Sequence, residues 1–194
     1  AVYLIVTTAA GCGAALKQYG EWMAGTDVEE SARRVASISR DVSEVLAMFP
    51  LRGGRSRSKG PHHSATAQHG HCSAMAVCYH DACHLAHGQL VTAAPRVLLE
   101  QIEGLTLIPL PESDVCCGSA GSYNITEPEM AARLGKRKAE NIRATGAEIV
   151  VAGNMGCLVQ IEASLRAAND GSRRPGPRTA HVVTLLDEIA GERR

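Results

Sequence analysis

Hydrophobic positions along the chain alternate between short β-branched runs and longer segments with helical spacing. Aliphatic runs of this kind predict strands. Five of them are present, at residues 2–7, 74–79, 105–110, 149–152 and 181–184. Because the strands alternate with helical segments, we predict an α/β fold: a mostly parallel sheet with helices on both faces.

The first long helical segment has a clear predicted start. Thr26 and Glu29 have the spacing of a capping box. Apolar residues then recur at helical spacing from Val28 to Leu46, and Pro50 follows. We therefore predict one helix over this segment, directly after a buried strand and a small-residue turn.

Helix signals in the second half follow the same logic. A helix is expected to begin near Pro95, since proline is favoured in the first turn. Thr126 and Glu129 predict a second capping box, and Gly146 ends that helix. The last long helix is expected to begin near Leu158.

A compositionally distinct segment divides the chain. Residues 51–73 are rich in Gly, Ser, Arg and His and show no periodicity, which predicts a flexible linker. On either side, Gly11-Cys12 and Gly156-Cys157 each follow an aliphatic strand. We interpret residues 1–50 as the C-terminal tail of one repeat and residues 74–194 as a complete second repeat. The sequence is accordingly expected to be a piece of a longer protein.

Charge and composition narrow the classes of function. The 194 residues carry 20 Lys+Arg and 20 Asp+Glu, with one Trp, four Tyr and one Phe. That balance argues against nucleic-acid binding, which needs basic surfaces or stacking platforms. No apolar run approaches the ~20 residues of a membrane span. We expect a cytoplasmic protein in which seven cysteines serve metal or redox chemistry.

Four cysteines lie in loops directly after predicted strands and should meet at one edge of the sheet. They are Cys83, Cys116, Cys117 and Cys157. Four thiolates suit zinc or an iron–sulfur cluster. The adjacent pair Cys116-Cys117 favours a multinuclear cluster, because each sulfur can then bind a different iron.

Other residues near these cysteines leave alternatives open. His80, Asp81 and His84 surround Cys83 and could build a zinc site or a Cys/His hydrolase, or they could orient the thiolate ligands. Gly118 is expected to let backbone amides approach sulfur. Taken singly, the remaining cysteines are predicted to pack as small apolar residues: Cys12, Cys72 and Cys78.

Three segments carry a family resemblance: YHDACHLAHGQ at 79–89, PLPESDVCCGSAGSYNITEPEMA at 109–131 and GNMGCLVQI at 153–161. They resemble the C-terminal cysteine-rich (CCG) domain of glycolate oxidase iron–sulfur subunits. That domain family is shared with heterodisulfide reductase and lactate-utilisation proteins. Its repeat consists of a cysteine, a distant Cys-Cys-Gly and a final CxxC.

The resemblance implies a ligand set for a four-iron, four-sulfur cluster, of cubane or non-cubane form: Cys83, Cys116, Cys117 and Cys157. Asn154 stands where the family has the first cysteine of its final pair. Cys12 would be the last ligand of the preceding repeat. The residues expected to support the ligands are His80, Asp81, His84, Gly118 and Asn154.

The resemblance also implies a function. The chain would be the iron–sulfur electron-transfer module of a glycolate (2-hydroxy acid) dehydrogenase or oxidase complex, without catalytic residues and inactive alone. It would pass electrons from flavin-binding partner subunits toward the quinone pool, on the inner face of the membrane. The alternatives are a zinc-binding structural or docking domain, and a thiol-disulfide redox module like heterodisulfide reductase.

Overall fold

A computed structural model of the protein describes residues 2–49, 75–119, 121–168 and 176–191. The segment interpreted as a linker, 51–73, lies outside these residues, and so does Cys72. Every strand pairing in the described parts is parallel, and helices follow the strands. The predicted α/β class is confirmed.

The first part of the chain contains a two-stranded parallel sheet and three helices. In order they are β1 (Ile5–Thr7), α1 (Ala10–Trp22), α2 (Glu29–Ile38), β2 (Ser39–Asp41) and α3 (Val42–Leu46). β1 was predicted to be buried, which is wrong for the described structure: Val6 is 46% exposed and Tyr3, just before the strand, is 81% exposed.

Residues 28–46 form two helices separated by a strand, so the single helix predicted there is wrong. Helical spacing of apolar residues is present on both sides, but Ser39–Asp41 pair with β1. The Asp41 carboxylate accepts a hydrogen bond from the Ser43 backbone N–H at 2.8 Å, and Glu44 accepts one from the Asp41 N–H at 2.8 Å. This capping box restarts the helix at α3.

The second part contains a four-stranded parallel sheet in the order β4-β3-β5-β6. Its elements are β3 (Met75–His80), α4 (Cys83–Ala86), α5 (Ala93–Glu100), β4 (Leu105–Ile108), α6 (Tyr123–Thr126), α7 (Pro128–Thr145), β5 (Ile149–Ala152), α8 (Met155–Ala167), β6 (Arg178–His181) and α9 (Val182–Gly191). The last strand lies three residues before its predicted position, because Arg178–His181 pair with β5 and the chain turns helical at Val182.

Neither predicted capping box forms. Glu29 accepts a hydrogen bond from the Gly25 backbone N–H at 2.6 Å, and α2 has no side-chain cap. Thr126 ends α6, and α7 begins with Pro128, whose missing N–H costs nothing in the first turn. Gly146 does end α7 as predicted, with φ of 69° in the left-handed region.

Helices cover both faces of the four-stranded sheet, which confirms that part of the prediction. Val77 and Tyr79 of β3 pack in one apolar cluster with residues of α5 and α9. Cys78 points to the opposite face and packs with residues of α7 and α8. Ala10 of α1 joins that second cluster, and the Gln89 side chain donates a hydrogen bond to its carbonyl at 2.8 Å. No helix among the described residues is long and apolar enough to cross a membrane.

Candidate metal centre

Three connections at the carboxyl edge of the four-stranded sheet carry the four cysteines. Cys83 opens α4 three residues after the last residue of β3, and Cys157 is the third residue of α8 after β5. Cys116 and Cys117 lie in the connection between β4 and α6. Cys83 and Cys157 were expected in loops, but both occupy the first turn of a helix. Parallel strands bring their carboxyl ends to one edge, which is why residues so distant in sequence meet there.

The four sulfurs form a connected set. Cys83 shares a hydrogen bond with Cys116, Cys116 with Cys117, and Cys117 with Cys157. Cys117 and Cys157 are buried, at 1% and 3% exposure, whereas the other two are half-buried. The structure therefore brings together the four cysteines that the sequence singles out.

The pKa values of the four thiols are shifted in opposite directions. Hydrogen bonds from Cys117 and Cys83 hold the pKa of Cys116 well below its usual range. The pKa of Cys157 is also lowered, first by a hydrogen bond from Cys117 and then by His80. The pKa values of Cys83 and Cys117 are raised in turn, first because they share hydrogen bonds with these neighbours and also because burial disfavours the thiolate. Cys116 and Cys157 therefore favour the thiolate, which is the form that binds metal.

A glycine shapes the Cys-Cys loop. The Gly118 backbone N–H donates a hydrogen bond to Cys116 Sγ at 3.3 Å. Its φ is 93°, and a Cβ at this position would lie 2.4 Å from the Ala131 carbonyl oxygen of α7. A side chain would therefore force the loop away from α7 and shift both cysteines.

Asn154 lies beside the last cysteine. It is the N-cap residue of α8, but its side chain makes no capping hydrogen bond. Its Nδ2 instead donates to Cys157 Sγ at 3.4 Å. At this position a hydrogen-bond donor, not a further thiol, faces the sulfur.

His80 is part of the buried centre. It is fully buried at the end of β3, and one of its ring nitrogens lies within 4.8 Å of the sulfurs of Cys117 and Cys157. These two sulfurs also lie within 4.8 Å of each other. The Nδ1 atom is 3.1 Å from the Ser113 carbonyl oxygen. The sequence left two roles open for His80, orienting the thiolates or binding a metal, and its position allows both.

The other residues expected to support the ligands lie farther out. The Asp81 carboxylate binds both terminal nitrogens of Arg96, at 2.7 and 2.6 Å, and so fixes the β3–α4 turn to α5. Burial would raise the pKa of Asp81, but the guanidinium of Arg96 outweighs it and lowers the pKa. His84 is exposed, with Nδ1 3.8 Å from Cys83 Sγ.

The cysteines outside the set differ from each other. Cys78 is fully buried in the apolar cluster, as predicted, and burial raises its pKa to about 11. Cys12 is exposed in α1, so the prediction that it packs as a small apolar residue is wrong. Among the described residues, no group of three metal-ligating side chains includes Cys12.

Lys138 of α7 is a charged residue beneath the centre that the sequence reading missed. It is 2% exposed, and its ammonium donates to the carbonyls of Glu112 and Ser113, just before the Cys-Cys pair. Burial lowers its pKa, and a thiolate at Cys117 would oppose that shift. The sequence could have indicated that Lys138 is buried, because it lies at helical spacing between the buried residues Ala131 and Ile142 of α7.

Comparison with known proteins agrees with this geometry. Residues 77–162 match the cysteine-rich domain family (CCG). The match extends from β3 to α8 and includes all four clustered cysteines. The recognition made from the sequence motifs is confirmed.

Similarity to individual proteins extends over more of the chain. The chain is 32% identical over 191 residues to a probable glycolate oxidase iron–sulfur subunit of Bacillus subtilis (strain 168). The match covers 97% of this chain and 39% of that protein. The chain is 29% identical over 165 residues to the Escherichia coli (strain K12) glycolate oxidase iron–sulfur subunit, covering 84% of this chain and 37% of that one. Lactate utilization protein A of Oceanobacillus iheyensis is 29% identical over 185 residues, with 94% and 68% coverage. The chain thus spans well under half the length of the two glycolate oxidase subunits.

Proposed function

We propose that the chain is an iron–sulfur electron-transfer module whose cluster is held by four sulfurs, those of Cys83, Cys116, Cys117 and Cys157. The observation that carries this proposal is their convergence into one connected set at the carboxyl edge of the sheet. The names of the related proteins support it, because two of them are iron–sulfur subunits.

The donors fit such a cluster. Iron–sulfur clusters are commonly held by four cysteine thiolates. Because Cys116 and Cys117 are adjacent in the chain, they suit a cluster in which each sulfur binds a different iron better than a single tetrahedral ion. Burial of Cys117 and Cys157 excludes water, while half-burial of Cys83 and Cys116 keeps the centre near the surface for electron exchange.

When bound, a cluster of this kind accepts and donates single electrons. The chain itself supplies hydrogen bonds to sulfur from the Gly118 N–H and the Asn154 amide. The ammonium of Lys138 lies on the side of the sheet that α7 covers, and it attracts negative charge at Cys117. Hydrogen bonds and positive charge around the sulfurs both favour the reduced state.

The larger assembly is part of the same proposal. We place the module in a complex that oxidises glycolate or a related 2-hydroxy acid, where it takes electrons from a flavin-binding subunit and passes them toward the quinone pool. The chain alone would be inactive, and its complex would lie in the cytoplasm or on the inner face of the membrane. Support for this step comes from the names of the related glycolate oxidase and lactate utilization proteins.

Anaerobic reconstitution of the full chain with iron and sulfide tests the proposal. We expect visible charge-transfer absorption and an EPR signal after reduction or oxidation. Cys116→Ser should lose both, whereas Cys12→Ser should keep both, since Cys12 lies outside the sulfur set. A wild-type chain that takes up no iron or sulfide, under conditions that load a control ferredoxin, would overturn the proposal.

A zinc-binding structural or docking domain is the second candidate, and one observation favours it. The ligand atoms of His80, Cys117 and Cys157 lie within 4.8 Å of one another, and imidazole with thiolates is a common zinc donor set. Metal analysis separates the candidates: one zinc per chain, without visible absorption, would favour this one.

A further inference from the structure

The side chain of His80 has one ring nitrogen engaged and one without a partner. Nδ1 lies 3.1 Å from the Ser113 carbonyl oxygen, and a carbonyl can only accept a hydrogen bond. Nδ1 therefore carries the hydrogen in the neutral ring, and Nε2 keeps a lone pair. Nε2 is buried and makes no hydrogen bond of normal length and angle, although the ring lies close enough to Cys157 to lower the pKa of its thiol.

The backbone holds this histidine firmly in place. His80 is the last residue of β3 and lies in register with Ala152, the last residue of β5. The Ser113 carbonyl that binds its Nδ1 also accepts the Asp81 backbone N–H at 3.0 Å. The ring is thus tied both to the sheet and to the loop that carries Cys116 and Cys117.

A metal at the sulfur set changes what surrounds Nε2. Without metal, thiol hydrogens of the sulfur set lie near this ring, because the ligand atoms of His80, Cys117 and Cys157 lie within 4.8 Å of one another. Metal binding removes these hydrogens, since thiolates are the ligands. A buried lone pair is costly when it faces no donor, and binding to the metal would satisfy it.

Position 154 favours coordination. The family motif has a cysteine there, and Asn154 offers a donating amide to Cys157 Sγ at 3.4 Å. The centre therefore has four cysteines and not five. The missing thiol is on the side of the centre where His80 lies. A neutral imidazole nitrogen is an established alternative to cysteine on the iron of such clusters.

We propose that Nε2 of His80 is a fifth ligand of the centre and binds iron together with the sulfurs of Cys83, Cys116, Cys117 and Cys157. This inference rests on the proposed function, because it requires an iron–sulfur cluster at the site. Exchange of an anionic thiolate for a neutral nitrogen raises the reduction potential, so the centre would accept electrons more readily than an all-cysteine one.

The test uses the reconstituted full chain labelled with ¹⁵N-histidine. Pulsed EPR of the paramagnetic state should show a nitrogen coupling of the size found for imidazole bound directly to iron. The coupling should be lost in His80→Gln and kept in His84→Ala, because His84 is exposed and lies beside Cys83. The wild-type spectrum is informative even if His80→Gln does not fold.

The outcomes separate this inference from the proposed function. A loaded cluster with only the weak coupling of an N–H···S hydrogen bond, or with none, would overturn the ligand assignment and leave the iron–sulfur proposal standing. Absence of iron and sulfide from a folded wild-type chain would overturn both. A strong coupling that persists in a folded His80→Gln chain would assign the nitrogen to another histidine and overturn the inference.

Discussion

Two strand–helix units of this chain have the same local structure but different surroundings. β1 leads into α1, and β5 leads into α8, each helix being 13 residues long with a cysteine as its third residue. Cys12 is exposed, whereas Cys157 is 3% exposed and shares a hydrogen bond with Cys117.

The difference shows what the local unit supplies and what it does not. A strand followed directly by a helix places one thiol at the carboxyl edge of a sheet. Burial and neighbouring ligands come from distant segments: for Cys157 these are the β3–α4 turn and the loop with Cys116 and Cys117. A cysteine in the same local position can therefore bind a metal only where other connections of the sheet also carry donors.

Serine substitution of Cys157 and of Cys12 should separate the two units most strongly. We expect Cys157→Ser to abolish cluster assembly, because a buried member of the sulfur set is lost. Cys12→Ser should keep wild-type iron and sulfide contents. Iron and acid-labile sulfide analysis of both variants measures the effect, and equal loss in both would contradict the assigned difference.

The pH dependence of alkylation tests the sulfur set without metal. A thiol of ordinary pKa loses roughly 80-fold in thiolate between about pH 8 and about pH 6. The pKa of Cys116 is lowered, so its thiolate persists as the pH falls and is lost only below the lowered pKa. We expect its iodoacetamide rate in the chelator-treated chain to change less than about threefold over this range. A rate that falls in parallel with that of a cysteine model peptide would contradict the assigned thiolate.

Two glycines allow a matched test of the Cys-Cys loop. Gly118 and Gly121 both have positive φ, but a Cβ at Gly118 would lie 2.4 Å from the Ala131 oxygen and one at Gly121 would meet nothing within 4 Å. Gly121→Ala should cost ~1–2 kcal/mol of the free energy of unfolding. Gly118→Ala should cost ~1–3 kcal/mol more and impair cluster assembly. Urea unfolding measures both, and equal costs would show that contact with α7 does not hold the loop.

Replacement of the buried lysine should have the smallest of these effects. Lys138→Met removes a positive charge that interacts with Cys117, so the reduced cluster should lose about 1–2 kcal/mol of stabilisation and the potential should fall. Lys136→Met is the control, since the Lys136 side chain is 75% exposed on the same helix. Potentiometric titration compares the two, and equal shifts would rule out a specific role for the buried charge.

The fold was predictable where the strands are aliphatic and fully buried. β3 and β5 lie within a residue of their predicted positions, because both faces of these strands meet helices and their sequences are continuously apolar. The prediction for residues 28–46 was wrong because apolar residues have helical spacing on both sides of Ser39–Asp41. That spacing does not reveal that these three residues pair with β1. That pairing is a tertiary contact which local spacing does not encode.

The site was predictable to a similar degree. The meeting of the four cysteines follows from strand order and the parallel sheet, so sequence position alone could indicate it. The unpaired Nε2 of His80 and the buried ammonium of Lys138 depend on side-chain packing and could not be predicted in this way. The ligand roles themselves remain predictions.

Metal and sulfide content of the anaerobically purified full chain is the most direct test of the central claim. The proposed function predicts about four irons and four acid-labile sulfides per chain, and no stoichiometric zinc. One zinc per chain without sulfide, or no metal at all in a folded chain, would contradict it.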